Sequence, residues 1–359
     1  MTVLHVRGVF LPDEVERDAW VIDGRLSFQR PAGAADTVAR GGFIIPGFVD
    51  AHCHVGLSPA GAVPDLDGQV AQAMANRDAG ALLLRDAGSP VDNSGIQQRD
   101  DLPRLIRAGR HIARPHRYIR GLGVEVEPLG LADEVEAQAA RGDGWVKIAA
   151  DWIDRELGDL APVWPDDVLA DAVARAHALG VRVAVHTFGE DALPGLIAAG
   201  VDSIEHGSGL TADLLDEVAR RGIAVVPTLI NIDYFPEFAE QAGSKFPVYG
   251  AHMLALHKTS RPRIHAAWEA GVQIYVGTDA GGSLLHGLVR EEIRALVGAG
   301  IPLADVIAQA SWRARAWLGL PGLEEQAPAD MVVFEEDPRI NLSTIDSPVR
   351  TILHGVVVA

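Results

Sequence analysis

One phrase recurs through the middle of this chain and limits what it can fold into: an Ala-rich helical stretch, a glycine, then a short apolar strand. It reads "AHALGVRVAVH", "IAAGVDSIEH", "VARRGIAVVPT" and "WEAGVQIYVGTD", with looser versions in "NRDAGALLLRD" and "AARGDGWVKIAA". The glycine suits the left-handed residue that ends a helix, and the β-branched residues after it suit a strand. Strands that alternate with helices need crossover connections and so pair in parallel. Because these strands are nearly all apolar, layers must cover both faces of the sheet.

Strands are expected near 43–54, 81–86, 111–119, 144–149, 181–187, 202–206, 223–228 and 272–278. Eight of them predict an α/β fold of the (β/α)8 TIM-barrel kind, which takes about 250 residues or more. The third, in "RHIARPHRYI", is broken by Pro115, which cannot donate to a ladder. The two ends differ from this core: "TVLHVRGVFL" and "DAWVIDGRLSFQ" at one end, "ADMVVFEED" and "RTILHGVVVA" at the other. Such short strands and turns predict a small β-sandwich domain formed from both chain ends, 1–42 plus 327–359, around a catalytic barrel at 43–326.

Composition narrows the classes of function. With 48% hydrophobic and 22% charged residues in 359, the chain is globular, and a formal charge of −18 without clustered Lys and Arg argues against a phosphate-backbone partner. The expected partner is a small-molecule substrate, with no nucleic acid and no membrane, and a homo-oligomer is compatible with the sequence. No apolar run reaches the ~18 residues of a membrane helix. The one cysteine, Cys53, cannot close an internal disulfide, and the start "MTVLHVRGVFLPDEVE" lacks a secretory pattern, so a cytoplasmic protein is expected. Asn341 heads a glycosylation triplet that, without a secretory signal, reads as a chance match.

Chemistry-bearing residues fall where a barrel keeps its active site, at the C-terminal ends of strands. His52 and His54 end the first strand, two apart and so aimed alike, with Cys53 turned the other way. Lys147 lies in the fourth strand, His186 ends the fifth, His206 ends the sixth and Asp279 follows the eighth. Singly, His186 could be a structural group, Lys147 could reach solvent and Asp279 in "GTDAGG" could shape a turn. Together on one rim, they favour a metal site.

These pieces resemble the amidohydrolase superfamily: "PGFVDAHCH", "VKI", "VAVHTFGED", "VDSIEHG", "VGTDAGG" and "ADMVVFEEDP". "AAGVDSIEHG" and "VVPTL" are most similar to its imidazolonepropionase-related and prolidase-like branch. The resemblance implies that His52, His54 and Asp279 hold a more buried ion and that His186 and His206 hold a more exposed one. Lys147, carbamylated by CO2, would bridge both, since an ammonium cannot ligate a cation. It further implies a hydrolase that attacks an amide-type bond (amide, cyclic amide, dipeptide or carbamate) with a metal-activated hydroxide and with Asp279 as general base and then acid. Imidazole and carboxylate ligands suit Zn2+, with Mn2+, Co2+ or Fe2+ as alternatives, and a mononuclear site remains open.

The sequence departs from relatives at three places. Deaminases of the superfamily carry His-X-X-Glu after the fifth strand, whereas Glu190 stands four after His186, which weighs against a deaminase; an ester or lactone hydrolase stays open. Tyr234 is displaced by about two residues from the substrate-polarising tyrosine of prolidase-like relatives, and "IARPHRYIRG" lacks the "GGH" that many relatives carry after the third strand. Loops offer Trp152, Arg155, Tyr234 and His286 as substrate contacts, with Trp164 and Phe238 as apolar surface. His252, His257 and His265 sit in a helical run away from the rim and are expected to be solvated, and a non-catalytic scaffold would be marked by lost ligands, of which none is lost.

Overall fold

The computed structural model describes residues 3–359. Parallel pairing begins where Phe48–Cys53 meets Ala81–Asp86, which in turn meets Arg104–Arg107. A second run places Trp145–Ala149 between His111–Ala113 and Arg182–Thr187, followed by Ser203–His206 and Ala224–Val226. Residues 274–280 join the two runs through parallel bridges from Ile274 to Val225 and from Ala280 to Cys53. On the other side Ala108 N donates to Asp86 O at 3.1 Å and Ser89 N to Gly109 O at 2.9 Å. This mixed α/β order fits a TIM-barrel-type fold.

Alternation along the strands sorts their side chains onto two faces. Val146, Ile148, Val183, Val185, Ile204 and Val225 pack against the helices, while Leu83, Trp145, Ala184, Ala224 and Val226 form a second cluster on the opposite face. The glycines of the repeated phrase behave as expected: Gly200 and Gly222 follow the helices Leu193–Ala199 and Leu215–Arg221 at φ of 80° and 69°.

Two strands differ from expectation. The third is split into Arg104–Arg107 and His111–Ala113 and ends before Arg114 rather than running to 119, because Pro115 has no N–H for the ladder. The eighth contributes bridges at Ile274 and Ala280 rather than a continuous ladder.

Both chain ends enter one seven-stranded mixed sheet. Its order is Val356–Val357, Arg350–Leu353, Met331–Phe334, Asp36–Ile45, Leu4–Phe10, Val15–Ile22 and Arg25–Ser27. Asp36–Ile45 carries this sheet past residue 42, and Met331–Phe334 runs antiparallel to it. Val6, Phe10, Val21, Leu26, Ile44 and Met331 form its core. Arg104 Nε donates to the buried Asp330 carboxylate at 2.6 Å, tying this sheet to the third strand. No helix among the described residues is long and apolar enough to cross a membrane.

Candidate metal centre

The first strand does not deliver its histidines by alternation alone. Val49 and Ala51 share the inner cluster with Leu83 and Trp145, so strict parity would send Cys53 inward with them. A register shift between Asp50 and Cys53 breaks that parity, and Cys53 packs instead in the helix-facing layer. His52 Nε2 and His54 Nε2 then lie 3.3 Å apart. Asp279 Oδ1 is 3.1 Å from the first and 2.8 Å from the second. The donor atoms of these three residues all lie within 4.8 Å of one another. Asp50 fastens the two strand ends together: it accepts from His52 N, from Thr278 N and from Thr278 Oγ1.

Beside this triad lies a second pair. His186 Nδ1 is 2.9 Å from His206 Nε2, and His206 Nδ1 is 2.7 Å from Thr228 Oγ1. Register with the neighbouring strand puts Glu205 opposite His186, so His206 would leave the strand on the outer face. Its φ of +68° turns it back over the rim, and the rings of His52 and His206 come to 5.1 Å. Lys147 is 1% exposed, and its Nζ has no hydrogen-bond partner among the described residues; His186 Nε2 has none either and lies 3.8 Å from Asp151 Oδ1.

Burial sets the charges here. It drives the imidazoles of His186 and His206 well below their ordinary pKa, leaving them neutral, which is the form that ligates a metal. It also pushes the Lys147 amine down to about 8. For Asp279 burial opposes ionisation, but attraction to His52 and hydrogen bonds from His52 and His54 outweigh it and hold the carboxyl well below the usual range.

Two residues beneath the triad were passed over in the sequence. His52 Nδ1 is 2.6 Å from Glu205 Oε2, which fixes the ring so that Nε2 faces Asp279. Arg85 Nη2 donates to both oxygens of Glu205 at 2.7 and 2.8 Å, and its guanidinium lies 4.6 Å from the centroid of Trp145. An arginine inside the apolar run "ALLLRD" was the available signal. His111 was also missed; it faces His54 and Tyr118 with ring centroids 5.0 and 5.4 Å away.

A cavity of about 620 Å³ opens over the centre, with His54, His186 and Asp279 among its lining residues. Tyr118, Trp152, Phe188 and Phe238 give it aromatic walls, and Asn231 adds a polar group. Such a volume and lining suit a small organic molecule.

Residues 43–358 match the Amidohydrolase family. The chain belongs to that family. A Mycobacterium tuberculosis (strain ATCC 25618 / H37Rv) protein, "Uncharacterized protein Rv2915c", is 53% identical over 353 residues, covering 98% of this chain and 95% of its own. Among solved structures, a Xaa-Pro dipeptidase with bound methionine superimposes with a TM-score of 0.82 at 20% identity, over 99% of both chains. An A. niger ochratoxinase gives 0.80 at 18% identity, over 99% of this chain and 95% of its own. The fold is thus that of prolidase-like hydrolases, as the motifs implied, and family membership makes the chain an enzyme acting on carbon–nitrogen bonds. The family generally binds divalent metals, and the triad of His52, His54 and Asp279 is able to hold one.

The remaining sequence candidates of this amidohydrolase divide. Trp152 lines the cavity, whereas Arg155 lines an adjoining recess of about 270 Å³ with His116, Arg120 and Glu125. Tyr234 is 36% exposed and outside the cavity lining, to which Asn231 and Phe238 of the same segment contribute instead. His286 is held by Asn76, with Nδ1 and Nδ2 3.1 Å apart, and it too is outside the lining. Trp164 packs inward and donates to Ala149 O at 2.7 Å. Glu190 is bound to His252 at 2.9 Å and to Arg263 at 3.0 Å, so its carboxylate is engaged by cations away from the triad. His252 is therefore no solvated surface group.

Proposed function

We propose that this amidohydrolase cleaves an amide-type carbon–nitrogen bond of a small molecule (an amide, cyclic amide, dipeptide or carbamate) at a centre of one or two divalent ions. The observation that carries this is the convergence of His52, His54 and Asp279 within 4.8 Å under a cavity of about 620 Å³. The donor set fits a metal: neutral imidazoles and a carboxylate are the borderline ligands that zinc takes, with manganese, cobalt or iron as alternatives. Two further buried nitrogens, His186 Nε2 and Lys147 Nζ, have no hydrogen-bond partner among the described residues, although His186 Nε2 lies 3.8 Å from Asp151 Oδ1. In this proposal His52, His54 and Asp279 hold one ion and His186 and His206 the other. Lys147, once carbamylated by CO2, would supply a carboxylate able to serve both.

Bound there, divalent ions act as Lewis acids and bring the pKa of water from about 15.7 to about 7. The chain's own residues do the rest. Asp279 has a side chain 15% exposed on the cavity, and takes the proton of the attacking water and returns it to the leaving nitrogen. Glu205 holds His52, and the Gly88 carbonyl accepts from His54 Nδ1 at 2.7 Å, so both imidazoles keep one tautomer and one orientation. The aromatic walls exclude water from the reacting bond. The same proposal treats 43–326 as the catalytic unit and 1–42 with 327–359 as its small β domain.

Metal analysis of protein purified without chelators tests this directly, with one to two ions per chain expected. Hydrolysis of N-acyl amino acids, Xaa-Pro dipeptides, lactams and carbamates should vanish with a chelator and return with zinc or manganese. A protein free of metal and indifferent to the chelator would overturn it.

A further inference from the structure

Resting on that role for Lys147, we propose that His111 is a positioning residue: its imidazole donates a hydrogen bond to the carboxylate that Lys147 acquires from CO2. The two residues pair in register across adjacent parallel strands, so their side chains leave the sheet side by side on the same face. His111 is 0% exposed, and neither ring nitrogen has a partner among the described residues. The Nζ of Lys147 is equally buried and equally without a partner. Buried polar groups are nearly always hydrogen-bonded, and a purely structural core histidine would be anchored by one.

The ring is nonetheless fixed in place. It lies between the rings of His54 and Tyr118, at 5.0 and 5.4 Å. Gly88, at φ +113°, closes the Nδ1 side: a Cβ there would come within 2.7 Å of His111 Nδ1. Only glycine fits at that point, and Nε2 is left as the free donor.

As an ammonium Lys147 cannot serve His111 as an acceptor, and the bond that its neutral amine could accept is not made. An ammonium only donates, and the alternative bond, from Lys147 to an imidazole nitrogen, is not made. Carbamylation changes the chemistry: the neutral amine attacks CO2, an N–C bond forms, one proton is released, and –NH–COO⁻ results. A donor becomes a two-oxygen acceptor with more lone pairs than two ions use, so one remains for the His111 N–H. His111 thereby holds the bridge in its orientation.

The test compares wild type, His111→Leu and His111→Gln, each loaded with zinc in 13C-bicarbonate. Leucine fills the imidazole's space without a donor, and glutamine restores an amide N–H. Carbamate is counted by 13C NMR and metal per chain by mass spectrometry. Wild type and H111Q should keep the carbamate, while H111L loses it by about tenfold or more, drops toward one ion per chain and recovers in excess bicarbonate. Metal-free H111L should melt no lower than metal-free wild type, because buried nitrogens without partners have been removed. A full carbamate signal in H111L overturns the proposal, as does a loss that H111Q fails to restore. Where H111L does not fold, H111Q alone decides: retention supports the donor role and loss refutes it. A wild type without carbamate is a separate result, which removes the bridging lysine and its donor together.

Discussion

Replacing Glu205 with Gln perturbs the charge network that carries the centre. The carboxylate accepts from Arg85 Nη2 at 2.7 and 2.8 Å, from Ser203 Oγ at 2.6 Å and from His52 Nδ1 at 2.6 Å, and the Arg85 and Glu205 side chains are 1% and 0% exposed. Glutamine keeps the shape but has one acceptor oxygen, and because Arg85 Nη2 contacts both oxygens the new NH2 faces Arg85 either way, together with His52 or Ser203. The Arg85 charge is then stranded in the core, which costs about 3–5 kcal/mol. At an unfolding entropy of about 2.1 cal/mol/K per residue, a chain of 359 residues has about 0.75 kcal/mol/K, so the metal-free Tm should fall by about 4–7 °C. Metal affinity should fall separately, by about 10–100-fold, because His52 loses the carboxylate that orients it. Calorimetry of the metal-free protein reads the first effect and titration against a competing chelator the second. Adding Arg85→Met removes the stranded cation; stability should return while metal affinity stays weak. A metal-free E205Q melting within about 1 °C of wild type would refute the network's weight. A double variant that regains metal affinity would refute the orienting role.

Three further outcomes are expected. Asp279→Asn should lower kcat by about 10²–10⁴ with KM little changed, and an unaltered kcat removes Asp279 from proton transfer. Lys147→Met should leave at most one ion per chain and a metal-free protein at least as stable as wild type, since an apolar side chain replaces a buried amine without a partner; two retained ions would count against the bridge. Glu190→Gln probes a pair whose pKa values hydrogen bonding has pushed apart against the opposing effect of burial. The Glu190 hydrogen bond holds His252 up at about 9, so that contribution is complete below the ordinary 6.5 and lost as pH rises through about 9. His252 holds Glu190 down at about 2, a contribution complete above the ordinary 4.5 and lost as pH falls through about 2. E190Q should therefore be least stable relative to wild type between pH 4.5 and 6.5. Solvent screening at side chains 24% and 34% exposed limits the loss to about 0.2–1 kcal/mol. Thermal melts across pH check it, and equal melting at pH 5.5 speaks against the pairing.

The rim residues were legible because a charged or imidazole side chain at the end of an apolar strand breaks a pattern that burial enforces. His52, His54, His186 and Asp279 stand out in this way; the structure brings His52, His54 and Asp279 together, with His186 against His206 beside them. Glu205 was hidden by its neighbour: "SIEH" offers two polar residues in succession, and alternation admits only one to a given face. Alternation selects Glu205, with Ser203 on the same face, and His206 joins through its left-handed φ, which sequence spacing does not encode. His111 was hidden by the boundary, because a strand drawn over 111–119 makes its first residue look peripheral, whereas the real strand is only His111–Ala113. Arg155 and Tyr234 were drawn to the site by loop proximity alone, and side-chain direction in a loop follows contacts that no periodicity reports.

The same backbone conformation explains why the sixth, seventh and eighth strand ends share one rim. His206, Thr228 and Asp279 all have positive φ, at 68°, 48° and 58°, in a region that costs a non-glycine residue about 1–3 kcal/mol. Glycine would relieve each position but would bring no side chain. Here each side chain is fastened: His206 to Thr228, and Asp279 to both His52 and His54. These bonds offset part of the strain, and the turn they permit redirects a side chain that strand parity would point elsewhere. The centre is therefore assembled by departures from regular strand geometry, a register shift at one strand end and left-handed turns at three others. This is why a chain whose strands are apolar almost throughout can bring His52, His54 and Asp279 within 4.8 Å of one another, with His206 beside them.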